Sequence, residues 1–326
     1  MTALLEVKNL TTHFFTKLGV VRAVNDVSFS LARGEILGLV GESGSGKSVT
    51  GFSILGLVDP PGRIVSGSVQ LAGQELVGLG DNKLREIRGR RIAMIFQDPM
   101  MTLNPVLSIG TQMRLAMRAH KSVSKRAARA RSAELLTRVG ISDAANRLDT
   151  YPHQYSGGMR QRVAIAIALL HQPSIIIADE PTTALDVSVQ AQILAEMKSI
   201  VAELGTSMIW ITHDLAVVAA LSMRIAVMYA GSIVEVGATS DVLTSPRHPY
   251  TLGLLNSLPS RAPPGTELKP IPGSAPSALN VSKGCPFQPR CSMATSICTT
   301  VPPLLGDTQH PVRCHNPLLF AASDSV

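Results

Sequence analysis

The run Gly41-Glu42-Ser43-Gly44-Ser45-Gly46-Lys47-Ser48 places glycines, a lysine and a hydroxyl where together they can hold phosphate. It fits the phosphate-binding pattern G-x-x-x-x-G-K-[ST] at every fixed position. The apolar run Ile36-Leu37-Gly38-Leu39-Val40 leads into it and reads as a buried strand, and Val49, Phe52 and Leu55 recur behind it at helical spacing. Between strand and helix, Gly41, Gly44 and Gly46 let the backbone turn tightly. Its N–H groups, with Ser43 and Ser45 in the turn, then point inward as an anion cradle at a helix N-terminus. Lys47 would reach the β- and γ-phosphates of a nucleoside triphosphate, and the Ser48 hydroxyl would ligate Mg²⁺. A Gly/Ser-rich turn that merely holds a lysine needs neither flanking element.

A second cluster suits hydrolysis. Ser174-Ile175-Ile176-Ile177-Ala178 reads as a strand that delivers two adjacent carboxylates, Asp179 and Glu180, at its C-terminal end. In open α/β sheets that edge is where ligands bind. Triphosphate hydrolysis needs one carboxylate to hold Mg²⁺ and another to orient the attacking water, and Asp179 and Glu180 suit these tasks in that order.

The elements that must position these groups alternate. The first forty residues read as short strands; later strands are expected at 91–96, 174–178, 207–212 and 225–229, with a hairpin strand at 233–236. Helical patterns separate most of them, which argues for an α/β core with a mainly parallel sheet. Between Gln97 and Ser156 the pattern is mostly helical and rich in alanine and arginine. Residues 261–280 carry five prolines and read as an extended linker, followed by a small tail that cannot fold on hydrophobic burial alone.

Composition bounds the alternatives. With 326 residues, 45% hydrophobic and 16% charged, the chain suits about two ordered domains. Its longest uninterrupted apolar stretch, 163–170, falls short of the ~18–20 residues that span a bilayer. The N-terminus lacks a secretory pattern, so a cytosolic chain able to dock on a membrane partner is expected. A net charge of +7 invites a nucleic-acid reading. Much of it, however, comes from Arg114, Arg118, Lys121, Lys125, Arg126, Arg129 and Arg131, interleaved with alanines and without aromatics to stack bases. A solvated helix face is the favoured reading, with no nucleic-acid partner. All four cysteines fall late, at Cys285, Cys291, Cys298 and Cys314, a cluster that in a cytosolic protein suggests metal more than disulfides.

The segment Tyr155-Ser156-Gly157-Gly158-Met159-Arg160-Gln161-Arg162, just before the strand carrying Asp179, resembles the diagnostic loop of the ATP-binding-cassette (ABC) ATPases. The resemblance covers about the first 260 residues; Tyr155 and Met159 depart from the commonest Leu and Gln, outside the Ser-Gly-Gly core. It implies an ABC nucleotide-binding domain over 1–260, with a P-loop core, an antiparallel β subdomain and a helical subdomain at about 98–170. The linker at 261–280 and a Cys-containing region at 281–326 complete the expected organisation. The resemblance also implies a head-to-tail dimer in which Ser156, Gly157 and Gly158 close over the γ-phosphate held by a partner. Gln97 would contact Mg²⁺ and the water, Ala184-Leu185-Asp186 would cross the dimer interface with Asp186 coupling the sites, and His213 would contact the γ-phosphate. Phe14 is the expected adenine platform, with Phe15 its near rival; either could instead be core. ATP and Mg²⁺ are the implied ligands, and with Glu180 and His213 both present, hydrolysis is expected.

Three segments narrow the family. The segment from Phe96 through Gln97-Asp98-Pro99 to Asn104-Pro105 resembles the extended loop of bacterial oligopeptide, dipeptide and nickel importers, as His248-Pro249-Tyr250-Thr251 resembles the stretch after their core. The tail, from Cys285-Pro286-Phe287-Gln288-Pro289-Arg290-Cys291 to Val312-Arg313-Cys314-His315, is similar to their C-terminal region. In members with all four cysteines that region is associated with a [4Fe–4S] cluster. Ligand chemistry alone leaves zinc and a metal-free tail open, although gaps of 5, 6 and 15 residues lack the tight knuckle of most structural zinc sites. The resemblance thus implies an ATPase subunit on the cytoplasmic face of the bacterial inner membrane. Its partners would be a second ATPase (a related chain rather than a copy), two permease subunits and an extracytoplasmic solute-binding protein. The alternative is a soluble cassette ATPase acting on nucleic acid or ribosomes.

Overall fold

The structure, a computed structural model, describes residues 3–183, 185–261, 265–267, 269–279, 282–306 and 309–319. The chain divides into two compact units. One holds Ala32–Glu35 and Gly78–Ile211; the other holds Ala3–Leu31, Ile36–Val77 and the chain from Thr212 onward.

In the first unit, Ile92–Ile95, Ile175–Asp179 and Ser207–Thr212 lie parallel, with Ile175–Asp179 in the middle. Ile175–Asp179 and Ser207–Thr212 are buried at every residue, which is why they read as continuous apolar runs rather than alternations. The segment after Gln97 is helical, as its composition suggests. Pro99–Thr102, Ile109–Arg118, Lys125–Arg138 and Ala144–Arg147 each form a helix. Ser108 and Ser124 cap two of them, accepting from the backbone N–H of Thr111 and Ala127. Among the seven basic residues expected on a solvated face, Arg129 pairs with Asp149 and Arg131 with Glu134.

The second unit contains an antiparallel sheet in the order Gly19–Leu31, Leu5–Thr16, Gly62–Leu71 and Gln74–Glu75. The short strands expected in the first forty residues are therefore two long ones followed by Ile36–Val40. Register shifts at Val7/Leu10, Leu10/Thr12 and Thr12/His13 interrupt the period-2 pattern, so the long strands read as pieces. In the same unit Ile36–Val40 lies parallel to Arg224–Tyr229, which turns at Gly231 into the antiparallel strand Ser232–Ala238.

The C-terminal tail belongs to this second unit. Val312–Arg313 pairs with Glu235 of Ser232–Ala238, and Leu304–Leu305 pairs with Val312–Arg313. The linker residues 262–264, 268 and 280 and the tail residues 281, 307, 308 and 320–326 lie outside the described residues. Among the described residues no helix is long and apolar enough to cross a membrane.

A buried carboxylate ties the tail to the core. Glu235 is fully buried and accepts from the backbone N–H of Arg247 (2.6 Å) and His248 (3.0 Å). His310 Nε2 meets the same carboxylate at 2.7 Å. His248, 1% exposed, caps Pro249–Asn256 through its Nδ1, which accepts from Tyr250 N–H at 3.0 Å. Burial lowers its pKa from 6.5 to about 4, against the opposing pull of Glu235. The unfolded chain therefore takes up this proton first, and stability present above the unfolded pKa is lost as pH falls from 6.5 to about 4. The predicted loss over that window is about 3 kcal/mol. Urea unfolding across the window checks this against His248→Asn, which keeps a capping acceptor but does not titrate; identical pH slopes in the two proteins would contradict it.

Candidate functional site

In the second unit the phosphate-binding pattern lies between a buried strand and a helix, as its spacing requires. Ile36–Val40 is buried throughout, and Lys47–Leu55 begins at Gly46, with no side chain capping it. Two glycines are sterically required. A Cβ on Gly41 would lie 2.2 Å from the Met228 carbonyl oxygen; one on Gly46, at φ 102°, would lie 2.3 Å from that of Ala23. The backbone of the loop is braced by Gly231, whose N–H donates to the Ser45 carbonyl at 2.9 Å. Lys47 is 5% exposed, and its Nζ donates to the carbonyls of Gly41 (2.8 Å) and Glu42 (2.9 Å). Ser43 and Gly44 are exposed at the tip, Ser45 is buried and Ser48 half-buried. The arrangement holds a cation beside an open helix N-terminus, which is what an anionic ligand needs.

The aromatic candidates separate by face. Phe14 is half-buried, and its ring lies so close to Gly62 that a Cβ there would sit 2.5 Å from it, with Val58 alongside. Phe15, on the opposite face by strand alternation, is 39% exposed under the Arg63 guanidinium at 4.3 Å. It shares its face with His13, whose ring meets Asn25 Oδ1 at 3.2 Å. Asn25 N–H donates to the Gly231 carbonyl, and Gly231 N–H to Ser45 of the 41–48 loop. His213 is exposed just beyond Ser207–Thr212, where Asp214 caps the next helix.

In the first unit Asp179 ends its buried strand, 4% exposed. Glu180 follows in a left-handed conformation at φ 45°. Its N–H donates to the Ile211 carbonyl at 2.9 Å. Gln97 Nε2 donates to Glu180 Oε2 at 3.3 Å, and Thr183 Oγ1 to the same oxygen at 3.0 Å. The carboxylate is thus oriented by two donors, one of them a threonine that the sequence pattern did not single out. A non-glycine residue held at positive φ fits a position fixed for function rather than for local comfort.

The Ser-Gly-Gly loop and Asp186 begin two helices in this unit. Ser156 caps Gly157–Ala168, accepting from Met159 N–H at 3.3 Å. A Cβ on Gly158 would lie 2.8 Å from Val189 Cγ1, so the two helix starts are close neighbours. Asp186 caps Val187–Leu204; hydrogen bonds from the Ser188 hydroxyl, then from Val189 N–H, lower its pKa. Ser156, Gly157 and Asp186 are exposed, and Ala184 lies outside the described residues. Tyr155, the departure from the commonest pattern, is a buried anchor whose hydroxyl donates to the Arg147 carbonyl at 2.7 Å and accepts from Thr150.

The four cysteines are all unbridged, three of them buried and Cys291 half-buried. Burial raises the pKa of Cys285, Cys291 and Cys314, the last to about 11, and neighbouring thiols add to each shift. Yet among the described residues no group of three or more Cys, His, Asp or Glu is arranged to hold a metal ion. Coulombic influence reaches further than a metal–sulfur bond of about 2.3 Å, so the thiols are neighbours but not, as placed, a ligating set. The expected [4Fe–4S] or zinc site is not supported by this arrangement. For Mg²⁺ the candidates Ser48, Gln97 and Asp179 offer oxygen donors, which suit a hard cation.

Sequence pattern also missed Arg290. It reaches the Glu42 carboxylate in the 41–48 loop from a position 248 residues away. No local signal marks such a pair.

Comparison with known proteins agrees with this geometry. Residues 24–183 match the family model described as ABC transporter, and residues 234–298 the one described as Oligopeptide/dipeptide transporter, C-terminal region. The chain is 49% identical to the oligopeptide transport ATP-binding protein OppD of Escherichia coli (strain K12), over 97% of this chain and 94% of that protein. It is 48% identical to the dipeptide transport ATP-binding protein DppD of Bacillus subtilis (strain 168), over 96% and 95%. Among solved structures, the dimeric post-hydrolysis state of the ATP-binding cassette MJ0796 bound to ADP and Pi superposes with a TM-score of 0.65 at 29% identity, covering 72% of this chain and 98% of that one. The fold is that of an ABC ATPase, with a small Cys-containing tail. The chain belongs to the ABC transporter ATP-binding proteins, in the branch that contains the oligopeptide and dipeptide transport subunits.

Proposed function

We propose that this chain hydrolyses ATP to power import of oligopeptides or dipeptides, as a peripheral subunit on the cytoplasmic face of the inner membrane. The relatives' transport roles support the substrate class. The observation that carries the reading is the 41–48 loop, folded around Lys47 between a buried strand and an uncapped helix. Two permease subunits and an extracytoplasmic solute-binding protein complete the transporter, and the ATPase pairs with a related second chain rather than a copy of itself. The family's pairing supports head-to-tail association, as do the exposed starts of Gly157–Ala168 and Val187–Leu204.

The residues divide the work. Lys47 neutralises charge on the β- and γ-phosphates, and amides of the 41–48 loop other than those of Glu42 and Ser45, which the Tyr250 hydroxyl and the Glu42 carbonyl take up, bind phosphate oxygens. Ser48, Gln97 and Asp179 would hold Mg²⁺, which when bound neutralises phosphate charge. Glu180, oriented by Gln97 and Thr183, places the attacking water and accepts its proton. His213 donates to the γ-phosphate, Ser156, Gly157 and Gly158 close over the partner's nucleotide, and Asp186 links the two sites. Phe15, the near rival of Phe14, takes the adenine, because Phe15 is exposed whereas Phe14 packs against Gly62 and Val58. For the tail, the resemblance to the C-terminal region of peptide importers supports a [4Fe–4S] cluster, with zinc as the alternative occupant, although the thiols would have to draw closer than they are placed to ligate it.

Reconstitution with peptide permease subunits tests the whole reading. ATP turnover should rise with permease and peptide-loaded binding protein and ignore DNA or RNA; the reverse would favour a soluble nucleic-acid ATPase. Glu180→Gln should lower turnover by ~10²–10³ while leaving MgATP binding intact. Phe15→Ala should raise the KM for ATP about tenfold with thermal stability unchanged, whereas Phe14→Ala should chiefly lower the melting temperature. Anaerobic purification with iron, sulfide and zinc analysis should find about four irons per chain; one zinc, or no metal, would remove the cluster.

A further inference from the structure

Glu42, the second residue of the phosphate-binding loop, is gripped on every side by groups of the second unit. Its backbone N–H donates to the Tyr250 hydroxyl at 2.9 Å. Its carbonyl accepts from Lys47 Nζ at 2.9 Å. Its carboxylate takes a two-pronged pair from Arg290, Nη1 to Oε2 at 2.7 Å and Nη2 to Oε1 at 3.0 Å. Arg290 is itself fixed: Nε donates to the Pro272 carbonyl at 2.8 Å, and Nη1 reaches the Tyr229 hydroxyl at 3.3 Å. Its side chain is 5% exposed.

The guanidinium is carried by the turn between Cys285 and Cys291. Gln288–Arg290 is a single 3-10 turn, with Arg290 N–H bonded to the Phe287 carbonyl at 3.0 Å. Phe287 seats the turn against Tyr229 and Tyr250, with ring centroids 5.2 and 5.4 Å away. A flexible side chain could not hold this geometry by itself; the planar fork of arginine, anchored at its third nitrogen, can.

A carboxylate beside a site for a polyanion is a liability unless its charge is cancelled. We propose that Arg290 is a positioning residue for ATP binding: it cancels and orients Glu42, and through the Glu42 carbonyl sets where Lys47 presents its ammonium. The Cys-containing tail is thereby a strut for the phosphate-binding loop rather than an appendage. The inference rests on the reading of the 41–48 loop as the ATP site.

The test measures MgATP binding by calorimetry, and KM and kcat for ATP, on the full chain. Arg290→Met should weaken MgATP binding and raise KM about tenfold, with kcat at saturating ATP within about twofold. Arg290→Lys, which keeps the charge and loses the fork, should fall between the two and serves if the methionine variant folds poorly. The deciding variant is Glu42→Gln combined with Arg290→Met, which removes the uncancelled charge and should return binding to within about threefold of wild type. Wild-type affinity in Arg290→Met, or no recovery in the double variant, would overturn the proposal. Lys47→Ala separates the two readings. If it leaves MgATP binding intact, the 41–48 loop is not the ATP site; if it abolishes binding while Arg290→Met binds normally, only the strut fails.

Discussion

A triphosphate brings several negative charges into whatever site receives it, and the 41–48 loop, the proposed receiver, offers one ammonium held by its own carbonyls. Lys47 is nearly buried, so its charge must be balanced wherever it sits; in this structure Gly41 and Glu42 do so at 2.8 and 2.9 Å. That arrangement requires the loop to curl back on itself. The curl requires glycine at positions where a Cβ would strike Met228 or Ala23. The backbone of Ile36–Val40, the Gly231 turn and the start of Lys47–Leu55 all serve to keep it in shape. Pre-organisation of this kind is where catalytic electrostatics gains over water, since no reorganisation is left for the moment of reaction.

The same logic governs Glu180, the residue proposed to orient the attacking water. Glu180 sits at the end of a strand buried on both faces, its backbone fixed by Ile211 and its carboxylate aimed by Gln97 and Thr183. A carboxylate on a mobile loop would lose orientation each time its side chain turned. Here a positive φ and two donors hold one geometry.

Much of this was legible because the chemistry is local in the chain. The 41–48 loop, the Asp179-Glu180 pair and Ser156-Gly157-Gly158 each lie within a few residues, next to apolar runs that announce their strand or helix. Contacts that join distant segments were not legible. Nothing in the spacing pairs Glu42 with Arg290, and Glu235 looks like an ordinary solvated strand residue until three tail and helix-start groups converge on it. Phe14 and Phe15 could not be separated either. Register shifts upstream scramble the alternation, and only the fold shows which ring meets Gly62 and which lies open under Arg63. The cysteines illustrate the reverse limit: their gaps suggested a metal set, and the thiols do gather, but not at ligation geometry.

Hydrogen–deuterium exchange of the purified chain with and without MgATP reads out whether the 41–48 loop holds ATP. Exchange across residues 41–50 should slow on addition of MgATP, because bound phosphate takes up N–H groups of the loop. Unchanged exchange in that segment at saturating MgATP would contradict it.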